Sequence, residues 1–225
     1  FSDTSSRKIL SLLNEGSINP FTRLIMVNVL YFKGNWSNTF KKEDTTEQPF
    51  RLNKSTSKPI KMMFQHDKFN WKHIDELQVQ IHELQYIGND FSMLILLPDD
   101  ISDDKDSIFY KWTKIELSFP KFKLEEKYNL KPVLRRMGMM DAFDEGKADF
   151  SGMSTNDDLV ISEVVHKSFI EVSEEGTGAA AATGVITNFK STDLALQFKV
   201  EHPFLFFIIE RSTNSILFFG KYSSP

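Results

Sequence analysis

The residues with the most unusual chemistry lie together in the last third of the chain. Glu174-Glu175-Gly176-Thr177-Gly178-Ala179-Ala180-Ala181-Ala182-Thr183-Gly184 places a run of small, neutral side chains behind two carboxylates. Four consecutive alanines favour helix, whereas glycines at 176, 178 and 184 oppose one. From Gly176 to Phe189 there is neither a charge nor a proline. The stretch is too light to build a core and too uncharged for an ordinary solvated loop. Two readings fit: a flexible surface linker, or a mobile segment that later becomes a buried strand. A buried strand needs every N–H for its ladder, hence no proline, and no charge on its inward face. Alternate residues from Thr177 (Ala179, Ala181, Thr183, Val185, Thr187, Phe189) can all face a core at period two. About ten new ladder bonds at ~1 kcal/mol net each would make insertion worth about 10 kcal/mol. A charged side chain at Ala179 would forfeit several kcal/mol of that through desolvation.

Other chemistries find little support. There is no G-x-S-x-G elbow, P-loop, G-x-G-x-x-G or H-E-x-x-H, so the expectation is that the chain is not an enzyme. His66, His73 and His82 fall in one strand-rich region, a weak basis for a metal site, and no metal or cofactor is expected. Absence of cysteine removes disulfides and thiol chemistry. A net charge of -4, with Lys41-Lys42 as the longest basic cluster, gives no nucleic-acid footprint. No apolar run is long enough for membrane insertion as a helix. Two acceptor triplets, Asn35-Trp36-Ser37 and Asn53-Lys54-Ser55, tilt the reading toward an extracellular location, with the cytoplasm as alternative.

The elements that must position these residues read mostly as strands. With 40% hydrophobic residues and 21 phenylalanines, the chain has material for a sizeable core. A helix is expected to end over Ser5 to Leu13, closed by Gly16. Arg23 to Phe32 is a nearly continuous apolar run, predicting a strand covered on both faces with Asn28 buried and hydrogen-bonded. Short strands follow at Ile60–Phe64, Phe69–His73, Val79–Leu84 and Phe91–Leu97, the last two joined across Gly88-Asn89-Asp90. Ser102 to Trp112 is ambiguous, with one short helix the reading. Glu116 to Leu124 alternates like a strand, with Pro120 marking an edge or bulge. Tyr128 to Met137 has a helical pattern ended by Gly138, and Leu159 to Val172 a long strand pattern. Phe204–Ile209 and Ser215–Phe219 form a closing hairpin. The fold class is α+β with large mixed or antiparallel β-sheets, and residues 1–225 show no linker or internal repeat.

Several blocks carry a family resemblance. Val27-Asn28-Val29-Leu30-Tyr31-Phe32-Lys33-Gly34-Asn35-Trp36 resembles strand three of sheet A in the serpins, and Val165-His166-Lys167-Ser168-Phe169-Ile170-Glu171-Val172 resembles strand five. His202-Pro203-Phe204-Leu205-Phe206-Phe207-Ile208 and Ile216-Leu217-Phe218-Phe219-Gly220-Lys221 resemble the family's closing strands. The blocks occur in family order, and the small-residue stretch is similar to the serpin hinge and exposed reactive-centre loop, most like the ovalbumin-like branch. The resemblance implies a single serpin domain of which 1–225 is the C-terminal portion. Its missing N-terminal helices and strands would then be a partner of this chain.

It implies a function too: inhibition of a serine protease by cleavage of the loop, covalent acyl-enzyme trapping and loop insertion into sheet A. The family's spacing from Gly176 puts the bait residue at Lys190 and the reactive bond at Lys190-Ser191, suiting trypsin-like target proteases. One residue of slippage would make Phe189 the bait, for a chymotrypsin-like enzyme. The hinge comprises Glu174, Gly176, Thr177, Gly178, Ala179, Ala180, Ala181 and Ala182. Asn28 and His166 correspond to the shutter, Trp36 to the tryptophan beneath the loop's entry, and Lys121 with Glu174 to an ion pair there, expected to be exposed and worth no more than about 1 kcal/mol. The alternative within the fold is a non-inhibitory carrier, chaperone or storage protein. Such proteins carry bulky, charged or proline residues in the hinge, which this chain lacks.

Overall fold

The computed structural model describes residues 13, 15–99, 113–154, 159–177 and 195–225. Gly178, Ala179, Ala180, Ala181, Ala182, Lys190 and Ser191 lie outside them, as do the expected Ser102–Trp112 element and all of the Ser5–Leu13 helix except Leu13.

In chain order the elements are β1 (Leu24–Tyr31), β2 (Gly34–Asn35), β3 (Thr46–Asn53), β4 (Thr56–Ile74), β5 (Val79–Gln85), β6 (Phe91–Pro98), β7 (Thr113–Pro120) and β8 (Phe122–Asn129). There follow a short helix α1 (Lys131–Arg136), β9 (Ile161–Ser173), β10 (Gly176–Thr177), β11 (Leu196–Lys199), β12 (Phe204–Glu210) and β13 (Ser215–Tyr222). By backbone contacts the chain forms two compact units: Phe1–Phe32 with Leu124–Ile170, and Lys33–Lys123 with Glu171–Pro225.

In the first unit β1 runs parallel to β9, from Leu24 opposite Ile161 to Tyr31 opposite Phe169. β8 pairs with β9 as well. Phe143, Ile161 and Val164 form a small core with Leu24, Leu130, Leu134 and Phe150 packed on it. Two expectations are corrected here. β1 is not covered on both faces: Met26 is 51% and Val27 46% exposed. Its ladder partner among the described residues is β9, and an apolar run specifies a strand without supplying a cover. Asn28 is accordingly exposed rather than buried. The helix read over Tyr128–Met137 is shorter. β8 continues to Asn129, because pairing with β9 overrides the local pattern, and α1 starts with a proline in its first turn. Gly138, at φ 101°, ends it as the pattern required.

The second unit is built on the ladder β11-β7-β4-β5-β6-β12-β13, with β3 also on β4. The two strands expected between residues 60 and 73 are one strand of 19 residues. Its polar middle, Gln65 to Lys68, stays extended because β7 pairs with it throughout. β4 serves three partners in turn, β3 up to Met62, β7 from Met62 to Phe69, and β5 from Asn70 to Ile74. Pro49 of β3 stands opposite Pro59 of β4, a pair in which neither residue has an N–H to give. Phe50, Phe119, Phe122, Phe204, Phe206 and Tyr222 are buried together, with Phe122 and Tyr222 rings 4.7 Å apart. Each such side chain contributes about 1.5–3 kcal/mol by leaving water. Asn214 (φ 56°) turns the β12–β13 hairpin, and Gly88 (φ 90°) with Asn89 (φ 60°) turns β5 into β6.

Candidate functional site

The stretch read from the sequence as a hinge begins where β9 ends. After Ser173 the chain reverses through Glu174 and Glu175, and Gly176 and Thr177 come back as β10, antiparallel to the last residues of β9. On its other side β10 pairs antiparallel with β2, Gly176 facing Asn35 and Thr177 facing Gly34. The first two residues of the small-residue stretch are thus already a strand between two others. The turn is fastened by Ser173 Oγ donating to the Gly176 carbonyl at 3.1 Å. Trp36 N–H donates to the Glu175 carbonyl at 3.0 Å, and Phe40 N–H to that of Glu174 at 2.9 Å. Gly176 has φ 143°, and a Cβ there would stand 2.2 Å from the Gly34 oxygen and 2.5 Å from Asn35 Cα. Only glycine fits this position.

Below β10 lies an aromatic floor. Trp36, 1% exposed, donates its indole N–H to the Ser173 carbonyl at 3.0 Å. It stacks on Tyr86 with ring centroids 4.6 Å apart. The hydroxyls of Tyr86 and Thr177 share a hydrogen bond of 2.8 Å, and Thr177 is 0% exposed. Burial raises the pKa of the Tyr86 phenol, and its bond to Thr177 opposes this only in part. Ser37 holds the Tyr86 backbone by donating its hydroxyl to the Tyr86 carbonyl at 2.9 Å.

The charged side of the hinge departs from expectation. Lys121 Nζ meets Glu174 Oε2 at 2.8 Å, as the resemblance implied, but Glu174 is only 4% exposed, so the pair is not a surface pair. Thr45 Oγ donates to the other carboxylate oxygen at 3.1 Å. Burial pushes the Glu174 pKa up. The hydrogen bonds from Lys121, the backbone and Thr45 outweigh it and hold the carboxyl below its usual range. Outside, Lys42 Nζ pairs with Glu175 at 2.9 Å, and that bond raises the ammonium's pKa.

Of the remaining candidates, Asn28 and His166 are direct partners in the β1–β9 ladder, and the His166 ring lies 6.3 Å from that of Tyr128. Tyr86, Thr45, Lys42 and Glu175 were not picked out from sequence. Tyr86 had a signal, since it continues the alternation Gln80, His82, Leu84 into the core, but its partner Thr177 is far away in the chain. The histidines do not converge. His73 bridges Asp99 and Asp75 at 2.5 and 2.6 Å, and the Asp99 bond raises its pKa against the effect of burial. His82 is enclosed between the Phe69 and Phe198 rings, and burial drives its pKa down to about 3. Among the described residues no cluster of three His, Cys, Asp or Glu could hold a metal ion.

Residues 1–225 match the family described as Serpin (serine protease inhibitor). The chain belongs to the serpins. It is 48% identical to Serpin B6 of Pongo abelii, over 97% of this chain and 62% of that protein. It is 47% identical to the leukocyte elastase inhibitor of Homo sapiens, again over 97% of this chain and 62% of the relative. Among solved structures, uncleaved ovalbumin matches at TM-score 0.81 and 35% identity, over 95% of this chain and 57% of ovalbumin. Serpin48 of Tenebrio molitor matches at TM-score 0.84 and 31% identity, over 98% of this chain and 61% of the other. The serpin therefore lies in the ovalbumin-like branch, and its chain spans about 62% of the length of the curated relatives named. The flat exclusion of an enzyme from missing motifs does not stand in that form. The family matched is described as serine protease inhibitor, a description that absent motifs neither reveal nor define.

Proposed function

We propose that this serpin inhibits trypsin-like serine proteases by sacrificing the Lys190–Ser191 bond and then inserting its cut loop as a new strand. The observation that carries the reading is the seating of Gly176 and Thr177 between β2 and the end of β9. It supplies the first rungs of an antiparallel strand that later residues of the stretch can continue once the β1–β9 ladder opens. A protease serine attacks the Lys190 carbonyl, the bond to Ser191 breaks, and the loop is left esterified to the enzyme. Continued insertion carries that ester away before water resolves it. The stretch after Thr177 has the small neutral residues this requires, through Thr183. Trypsin-like specificity rests on the lysine, whose ammonium suits a pocket ending in a carboxylate. The test is incubation of the full-length protein with trypsin, followed by denaturing electrophoresis and sequencing of the released peptide. A covalent adduct and a peptide beginning at Ser191 are expected. Cleavage without adduct would defeat the inhibitor reading, and a peptide beginning at Lys190 would move the bait to Phe189.

A further inference from the structure

We propose that His73 is an alkaline-sensitive clasp: carrying both ring protons it ties the β4–β5 turn to the end of β6, and losing one of them releases that tie. The inference concerns a part of the second unit away from the hinge and does not depend on the inhibitory reading.

The clasp is assembled from three neighbouring strand ends. His73, near the end of β4, stands opposite Gln80 of β5 in the ladder, and both side chains are buried. β4 runs into the turn Asp75–Leu77, which Gln78 closes at φ 49°. β6 ends at Pro98, and the next residue, Asp99, donates its N–H to the Gln78 carbonyl at 2.8 Å. The His73 ring lies between turn and strand end, with Nδ1 2.6 Å from Asp75 Oδ1 and Nε2 2.5 Å from Asp99 Oδ2. The other Asp99 oxygen accepts from Gln80 Nε2 at 3.0 Å. Among the described residues the titratable groups that meet the ring are thus Asp75 from the turn and Asp99 from beyond β6. Lys72, next to His73 in β4, lies on the opposite face of the strand and is exposed.

An ionised carboxylate only accepts hydrogen bonds, whereas a neutral imidazole offers one donor and one acceptor. Two carboxylates on two ring nitrogens are both satisfied only by the imidazolium. In the neutral ring, one nitrogen turns a lone pair toward a carboxylate oxygen, and that contact must open. His202 shows the other case. Its Nε2 donates to the Pro98 carbonyl at 2.8 Å and its Nδ1 faces Arg51 Nη2 at 3.4 Å, an acceptor and a donor that one ring proton satisfies. At His73 the Asp99 bond raises the pKa above 6.5 against the effect of burial, and Asp75 adds to it. The closed clasp therefore holds its proton more tightly than the open one. Its stabilisation is fully present below about 6.5 and is lost as pH rises through the raised value of the closed state.

The experiment is amide hydrogen exchange on the full-length protein over a pH series that starts below 6.5. Two amides report on the tie: that of Asp99, bonded to the Gln78 carbonyl, and that of Gln78, bonded to the Asp75 carbonyl at 3.2 Å. After division by the intrinsic base-catalysed rate, opening at both should be flat below 6.5 and then rise about tenfold per pH unit up to the raised pKa. Asp75→Asn puts there an amide that can accept from the charged ring or donate to the neutral one, so the tie outlasts the loss of the proton. It should cut the total rise about tenfold, the factor for one charged hydrogen bond, and leave both amides protected below 6.5. A turn merely weakened by the substitution would exchange faster at every pH with its rise undiminished. That result, or a flat corrected rate in the unsubstituted protein, would overturn the proposal and leave the inhibitor reading as it stands.

Discussion

Replacing Gly176 by alanine tests the seating of the hinge at its tightest point. The added Cβ would meet three backbone atoms, the Gly34 oxygen at 2.2 Å, Asn35 Cα at 2.5 Å and Trp36 N at 2.9 Å. None belongs to a flexible side chain that can swing away. At φ 143° an alanine is also strained by itself, by roughly 1–3 kcal/mol. The cheaper escape is for β10 to lift out, forfeiting its ladder bonds and the Tyr86–Thr177 bond at about 1 kcal/mol each. That escape costs about 3 kcal/mol, a shift of roughly a hundredfold away from the seated hinge. Hydrogen exchange reads this directly, because the Trp36 and Phe40 amides donate to the Glu175 and Glu174 carbonyls of the turn. Gly176→Ala should speed exchange at both amides and lower the adduct yield with trypsin. Unchanged exchange with full adduct yield would refute the reasoning.

Other outcomes follow from the same geometry. Lys121→Met should cost about 1–2 kcal/mol in a melting experiment, a buried charged hydrogen bond discounted for the partly exposed lysine. Glu174 has a depressed folded pKa, so its stabilisation is present above the ordinary carboxyl pKa and is lost as pH falls through the lower folded value. That acid loss should shrink in Lys121→Met, and an identical pH profile would contradict the pair's role. His82 gives a second acid limb. Folded, it stays neutral down to about 3, while the unfolded chain binds the proton near 6.5, so stability should fall with pH between those values by about 1.4 kcal/mol per unit. His82→Leu should flatten this limb in denaturant titrations, and no flattening would show that the buried imidazole is not its source. Thr177→Arg places a charge where Thr177 is fully enclosed, and should turn inhibitor into substrate. An unchanged inhibition stoichiometry would contradict that.

Much of this was legible in the sequence because the signals were local. Alternation found β5, β6, β9 and the β12–β13 hairpin, and the glycine and asparagine turns were placed where positive φ is observed. The blocks around Asn28 and His166 were read separately as strands, and that they pair, Asn28 opposite His166, is seen only in the structure. β3 and β11 were missed. β3 contains Pro49 and two charges and is a strand because β4 pairs with it, while β11 has four residues and depends on β7. Exposure of β1 was misread because an apolar run does not reveal what covers it. At the hinge, Gly176 and Glu174 were recognised, but the burial of Glu174 was not. Its enclosure is made by Thr45 and Lys121, 129 and 53 residues distant in the chain. Tyr86 escaped for the same reason.

The account depends on the cut loop becoming an interior strand. Melting curves of the full-length protein before and after a single cut in the 178–190 stretch measure this most directly. About ten ladder bonds gained predict a clipped form that melts well above the intact one and resists further trimming of the stretch. A clipped form that melts with the intact protein, its new end still open to proteolysis, would contradict the central claim.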